Sequence, residues 1–145
     1  MLLLALLFIM LSIYGQHRIE WITVAAVTAL VWLNLHFLDH NDTRLYFNRA
    51  IITFAGAAIL TSRGSFIGYY HATIFALTLL AYSALAFDVS QGRHILIYNN
   101  YEAVIYGLVG CQLIGIFPTV WAIYRDIDSG ASFGVANIFR AKEIK

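Results

Sequence analysis

The sequence predicts an all-α integral membrane protein, a small bundle of about five transmembrane helices. Three observations carry that prediction. The chain is 61% hydrophobic and 12% charged, against about 25% charged in an ordinary soluble domain. Its mean hydropathy is +0.74. Its uncharged stretches also have the length of membrane spans, the clearest being 66–87, which holds no Asp, Glu, Lys or Arg and one ionisable side chain, His71. At 1.5 Å per residue that stretch makes roughly 33 Å of helix, enough to cross a ~30 Å hydrocarbon core.

The spans are expected near 1–16, 21–38, 47–62, 66–87 and 103–124, within a single bundle over 1–124. The first, MLLLALLFIMLSIY, is apolar all round but gives only about 21 Å of helix, so four spans result if it does not cross. No Lys or Arg precedes it and no small-x-small cleavage site follows, which argues against a removed signal peptide. The polar HRIE at 17–20 turns the chain into the second span, which opens on Trp21. A polar cluster, 39–44, separates it from the third, where Arg49 is expected to snorkel toward the headgroups. Arg63 and Gly64 then form a turn so short that 66–87 must run antiparallel to the third span. The polar stretch 88–102, with HILIY as a short interfacial piece, leads to the last span. Pro118 lacks the donor for the carbonyl of Ile114, so a kink is expected there. The tail, 125–145, is polar and weakly amphipathic, with Arg140, Lys142 and Lys145 suited to anionic headgroups.

Alternating the spans puts Arg18, Arg63, Arg125, Arg140, Lys142 and Lys145 on one side, and Arg44, Arg49 and Arg93 on the other. The positive-inside rule makes the first side cytoplasmic, and a bacterial inner membrane is the expected location. A net charge of +1 gives nucleic-acid binding no electrostatic support. Cys111 is the single cysteine, so no disulfide framework exists.

Candidate functional residues fall into two groups. On the last span, Ala103, Gly107, Cys111 and Gly115 recur every fourth residue, with a weaker set, Ala72, Ala76 and Ala84, on 66–87. Small residues let helix backbones approach closely in lipid; packing within one chain is the preferred reading, with association between copies the alternative. Gln112 beside that stripe needs an interhelical partner or a water-lined cavity. In the second group, His36, Asp39 and His40 share a face if their helix continues past Leu38, and the topology brings His94, with Asp42, Asp88 and Glu102, to the same side. Imidazoles and carboxylates suit a transition metal, the only cofactor the sequence suggests; solvated flanking residues are the simpler reading. His71 belongs to the opposite end of the bilayer. No phosphate loop, paired cysteines or nucleophile elbow is present, so no catalytic residue is assigned.

The expected function is helix–helix association in the bilayer. Short length, several spans, no catalytic residues and a basic tail resemble holin-like, pore-forming proteins. A non-catalytic subunit of a larger membrane complex is the alternative, and a metal-site protein built on His36, Asp39 and His40 the third. The partners expected are the lipid bilayer and either further copies of the chain or other membrane subunits, with no nucleic acid.

Overall fold

A computed structural model describes residues 2–14, 17–38, 42–99 and 101–128, and among these it is helical with no strand. The helices are α1 (Leu2–Tyr14), α2 (Arg18–Phe37), α3 (Thr43–Ser62), α4 (Phe66–Ser90), α5 (Ile95–Tyr98), α6 (Tyr101–Ile114) and α7 (Ile116–Asp128). Among the described residues, three stretches are long and apolar enough to cross a membrane: Thr43–Ser62, Phe66–Ser90 and Ala103–Trp121. Helix α1, at 13 residues, is shorter than a crossing requires. Helix α2 has 20 residues, of which the side chains of 35–37 lie outside the described residues.

Local chemistry sets the element ends. Asp42 caps α3 by accepting from the backbone N–H of Arg44 at 2.9 Å, which starts the helix four residues before the predicted position. Ser65 caps α4 in the same way, accepting from the N–H of Gly68 at 3.0 Å, and satisfies a donor that the first turn leaves open. At its other end α4 runs on to Ser90, so Asp88 is helical and not part of a loop. The last predicted span is interrupted at Gly115, between α6 and α7. The interruption directly follows Ile114, whose carbonyl Pro118 cannot serve.

The antiparallel hairpin of α3 and α4 forms the centre, and α1 and α2 pack as a second pair against it. Gly56 makes the approach possible, because a Cβ there would stand 2.5 Å from Cγ2 of Val27 and 3.1 Å from the ring of Phe75. Two apolar clusters fill the interior. One gathers Phe8, Trp21, Val24, Leu60 and Phe75; the other gathers Leu45, Tyr46, Tyr82, Leu85 and Ile105. Helix α6 packs on α4 but, among the described residues, not on α2. That leaves a gap between α2 and α6.

Outside these clusters, part of α3, α4 and α6 departs from the pattern of a soluble protein. Phe47, Ile51 and Phe54 on α3, and Leu80 and Phe87 on α4, point outward, whereas Arg49, Thr53, Thr78 and Gln112 are buried. A soluble domain hides its large apolar residues and leaves Arg at the surface; a chain dissolved in lipid has no reason to do either.

Candidate functional site

The gap between α2 and α6 is a cavity of about 300 Å³ floored by α3 and α4. Thr28, Val31 and Trp32 line it from α2, Tyr82 and Thr78 from α4, and Tyr106 and Gln112 from α6. Trp32 is half-buried and Tyr106 is exposed, which puts an aromatic ring from each flanking helix at the rim.

Arg49 is the one charged residue among the described residues of this lining. It is 4% exposed, so it turns inward, contrary to the snorkelling expected from sequence. Its place on α3 explains the turn. Tyr46, Arg49 and Thr53 are spaced i, i+3, i+7 and share the face opposite Phe47, Ile51 and Phe54. The guanidinium carbon lies 5.8 Å from the ring centre of Tyr46 and 5.4 Å from that of Tyr82, both within cation–π range. Nε and Nη2 are buried with no hydrogen-bond partner.

The other polar groups cannot supply the missing acceptor in an ionised form. Thr28 donates its hydroxyl proton to the carbonyl of Val24 at 2.8 Å, Thr53 to Arg49 at 2.9 Å and Thr78 to Ile74 at 2.8 Å. Each proton is therefore committed along its own helix. Gln112, 4% exposed, adds a neutral amide. The walls are thus apolar and aromatic, the hydroxyls are internally bonded, and one permanent cation is present, since Arg does not deprotonate in proteins.

A second buried polar group lies outside this cavity. His71 is fully buried, with both ring nitrogens unpartnered. It is edge-on to Trp21 at 5.0 Å and to Tyr70 at 5.3 Å. Tyr70 donates to the carbonyl of Cys111 at 2.6 Å, just ahead of the Gly115 interruption. A Cβ on Gly115 would lie 2.7 Å from the Tyr70 ring and 3.0 Å from Nε2 of His71. This junction fixes α4 against the α6–α7 break.

At the start of α2, Glu20 joins α2 to α4. Its carboxylate accepts from the Ser65 hydroxyl at 2.7 Å and lies 3.5 Å from Nδ1 of His17. Burial raises the Glu20 carboxyl, but the Ser65 hydroxyl, a backbone N–H and His17 outweigh it and hold the group below its ordinary pKa.

The sequence-predicted residues are dispersed. Ala103, Gly107 and Cys111 are exposed, and a Cβ on Gly107 would meet nothing within 4 Å, whereas Gly115 is buried. Residues twelve apart on an α-helix are rotated by roughly 120°, so four small residues at this spacing do not stay on one face. Ala72 is buried in the core and Ala76 is exposed. Helix α2 ends at Phe37 and Leu38 is extended, with φ −131° and ψ 142°, so the helical face expected to unite His36, Asp39 and His40 does not continue. Asp39 and His40 lie outside the described residues, as does the side chain of His36 and all of the amphipathic tail beyond 128. His94 adopts φ 52°. Asp88 accepts from the N–H of Leu96 at 2.8 Å, and no group of three potential metal ligands forms among the described residues.

Among the described residues these features define a helical chain with three segments long and apolar enough to cross a membrane and a cavity whose lining includes Arg49. Comparison with protein-family models, curated proteins and solved structures finds no match for this chain.

Proposed function

We propose that this chain is a small multi-pass membrane protein that binds a small amphiphilic molecule in the cavity between α2 and α6. The observation that carries the reading is Arg49, buried without a hydrogen-bonded partner on Nε or Nη2 and set in the lining of an otherwise apolar and aromatic cavity. Binding sites are concave, mostly apolar and supplied with a few convergent polar groups. In this reading α1 and α2 join the other three segments in the bilayer, and the Arg63 turn faces the cytoplasm of a bacterial cell.

The test is saturable binding of brominated amphiphiles to purified protein in lipid nanodiscs, followed by quenching of tryptophan fluorescence, with Trp32 at the rim as reporter. Val109→Trp, which fills the cavity, is expected to abolish saturation, and Ala76→Trp on the exposed face is expected to preserve it. Unsaturable, partition-like quenching of the native protein overturns the reading.

One observation favours a second reading, association with copies or with another membrane subunit. The outward face of α6 offers Ala103, Gly107 and Cys111 with open space at Gly107, the surface against which a neighbouring helix packs closely. A holin-like pore draws less support from the geometry, because a lumen between copies needs outward polar residues. Here Arg49, Thr53, Thr78 and Gln112 face the interior of a single chain, and the polar residues that α4 turns outward at mid-helix are Thr73 and Ser83. The metal reading on His36, Asp39, His40 and His94 rests largely on residues outside the described ones, Asp39, His40 and the side chain of His36.

A further inference from the structure

We infer that the ligand of this cavity carries an oxyanion, a carboxylate or a phosphate, which pairs with the Arg49 guanidinium; the inference rests on the binding reading above. A guanidinium presents paired N–H donors that match the two oxygens of a carboxylate or phosphate. Arg49 lines the cavity, while its Nε and Nη2 are closed to solvent and have no hydrogen-bond partner.

Charge makes the same selection. An interior guanidinium stays ionised, and its desolvation is offset only in part by the rings of Tyr46 and Tyr82. No carboxylate among the described residues pairs with it. A neutral ligand leaves that charge uncompensated, and a cationic one is repelled. The threonine hydroxyls reinforce the choice by donating to their own helices, so Arg49 is the charged donor of the described lining, beside the neutral side chains of Gln112, Trp32, Tyr82 and Tyr106. Beyond the head, Val27, Val31, Phe75 and Val109 offer apolar walls for a hydrocarbon chain.

The experiment uses the full chain in uncharged phosphatidylcholine nanodiscs. Bromodecanoate, its methyl ester and bromodecyl phosphate are titrated against tryptophan fluorescence, with acetate and inorganic phosphate as competitors. The acid and the phosphate are expected to bind roughly tenfold or more tightly than the ester. Arg49→Gln is expected to remove that difference and the exposed Arg63→Gln to keep it. The comparison of acid with ester needs no variant, so it holds even if Arg49→Gln fails to fold. Displacement by acetate or inorganic phosphate supports the site with a water-soluble ligand, and displacement by chain-bearing acids alone supports it with a lipid-borne one. Equal binding of acid and ester overturns the oxyanion while leaving the cavity reading intact. Absence of saturable binding for every compound overturns both.

Discussion

The guanidinium carbon of Arg49 stands 5.4 Å from the ring centre of Tyr82, so a charge inside the bundle is held against an aromatic face and, among the described residues, not against a carboxylate. That relationship joins α3 to α4 beside the cavity, and it separates what stabilises the fold from what the fold is for.

Burying an ion costs several kcal/mol, and each cation–π contact returns about 2 kcal/mol at best. Arg49→Met is therefore expected to raise the thermal unfolding temperature in mild detergent, by the equivalent of about 1 kcal/mol or more. Tyr82→Leu, which keeps the charge and removes the ring, is expected to lower stability by roughly 1–2 kcal/mol. If Arg49→Met is destabilised as severely as a core truncation, Arg49 is structural and has no call for a ligand.

Two glycines are expected to behave oppositely. Gly56→Ala places a Cβ 2.5 Å from Val27 and is expected to cost about 1–3 kcal/mol through overpacking. Gly107→Ala meets open space and is expected to be neutral, or to gain up to about 1 kcal/mol of helix propensity. Thermal unfolding of both variants in the same detergent checks the pair. A marked loss at Gly107 on assembly, with the isolated chain unaffected, identifies it as a contact with a neighbour.

Much of the fold was legible from the sequence because helix length, charge-free runs and capping residues are local properties. The start of α4 at Phe66 follows from Ser65, and the α3–α4 hairpin from the brevity of the Arg63 turn. The site was not legible in the same way. Arg49 near the end of an apolar run looks the same whether its side chain reaches outward or inward, and the choice depends on which rings another helix brings to it; Tyr82 is 33 positions further along the chain. The signal available was the shared face of Tyr46, Arg49 and Thr53, together with one polar residue at mid-span on each neighbour, Thr28, Thr78 and Gln112. The small-residue stripe shows the converse. Its spacing is regular in sequence, yet the 3.6-residue turn rotates Gly115 away from Ala103.

The Glu20 link predicts an acid sensitivity. A carboxyl whose folded pKa is depressed contributes stability that is present above its unfolded pKa and lost as pH falls through the folded value. Unfolding temperature is therefore expected to fall on acidification below the ordinary glutamate range, and Ser65→Ala is expected to weaken that slope. The same substitution removes the α4 cap and is expected to cost about 1 kcal/mol at neutral pH. An unchanged acid slope in Ser65→Ala assigns the sensitivity to another group.

Cys111 is exposed on α6 and is the chain's single thiol, so it reports on neighbours without mutagenesis. If α6 meets its own copy in the membrane, a short bis-maleimide is expected to produce a covalent dimer there, and Cys111→Ser is expected to abolish it. Efficient labelling by a monofunctional maleimide with no dimer places this face against lipid or a different subunit.

Native mass spectrometry of the protein released from its own membrane tests the binding account most directly. The native chain is expected to carry a bound acidic amphiphile whose adduct is absent from Arg49→Gln and retained in Arg63→Gln. A native chain that emerges empty, or with the same adducts as Arg49→Gln, contradicts the account.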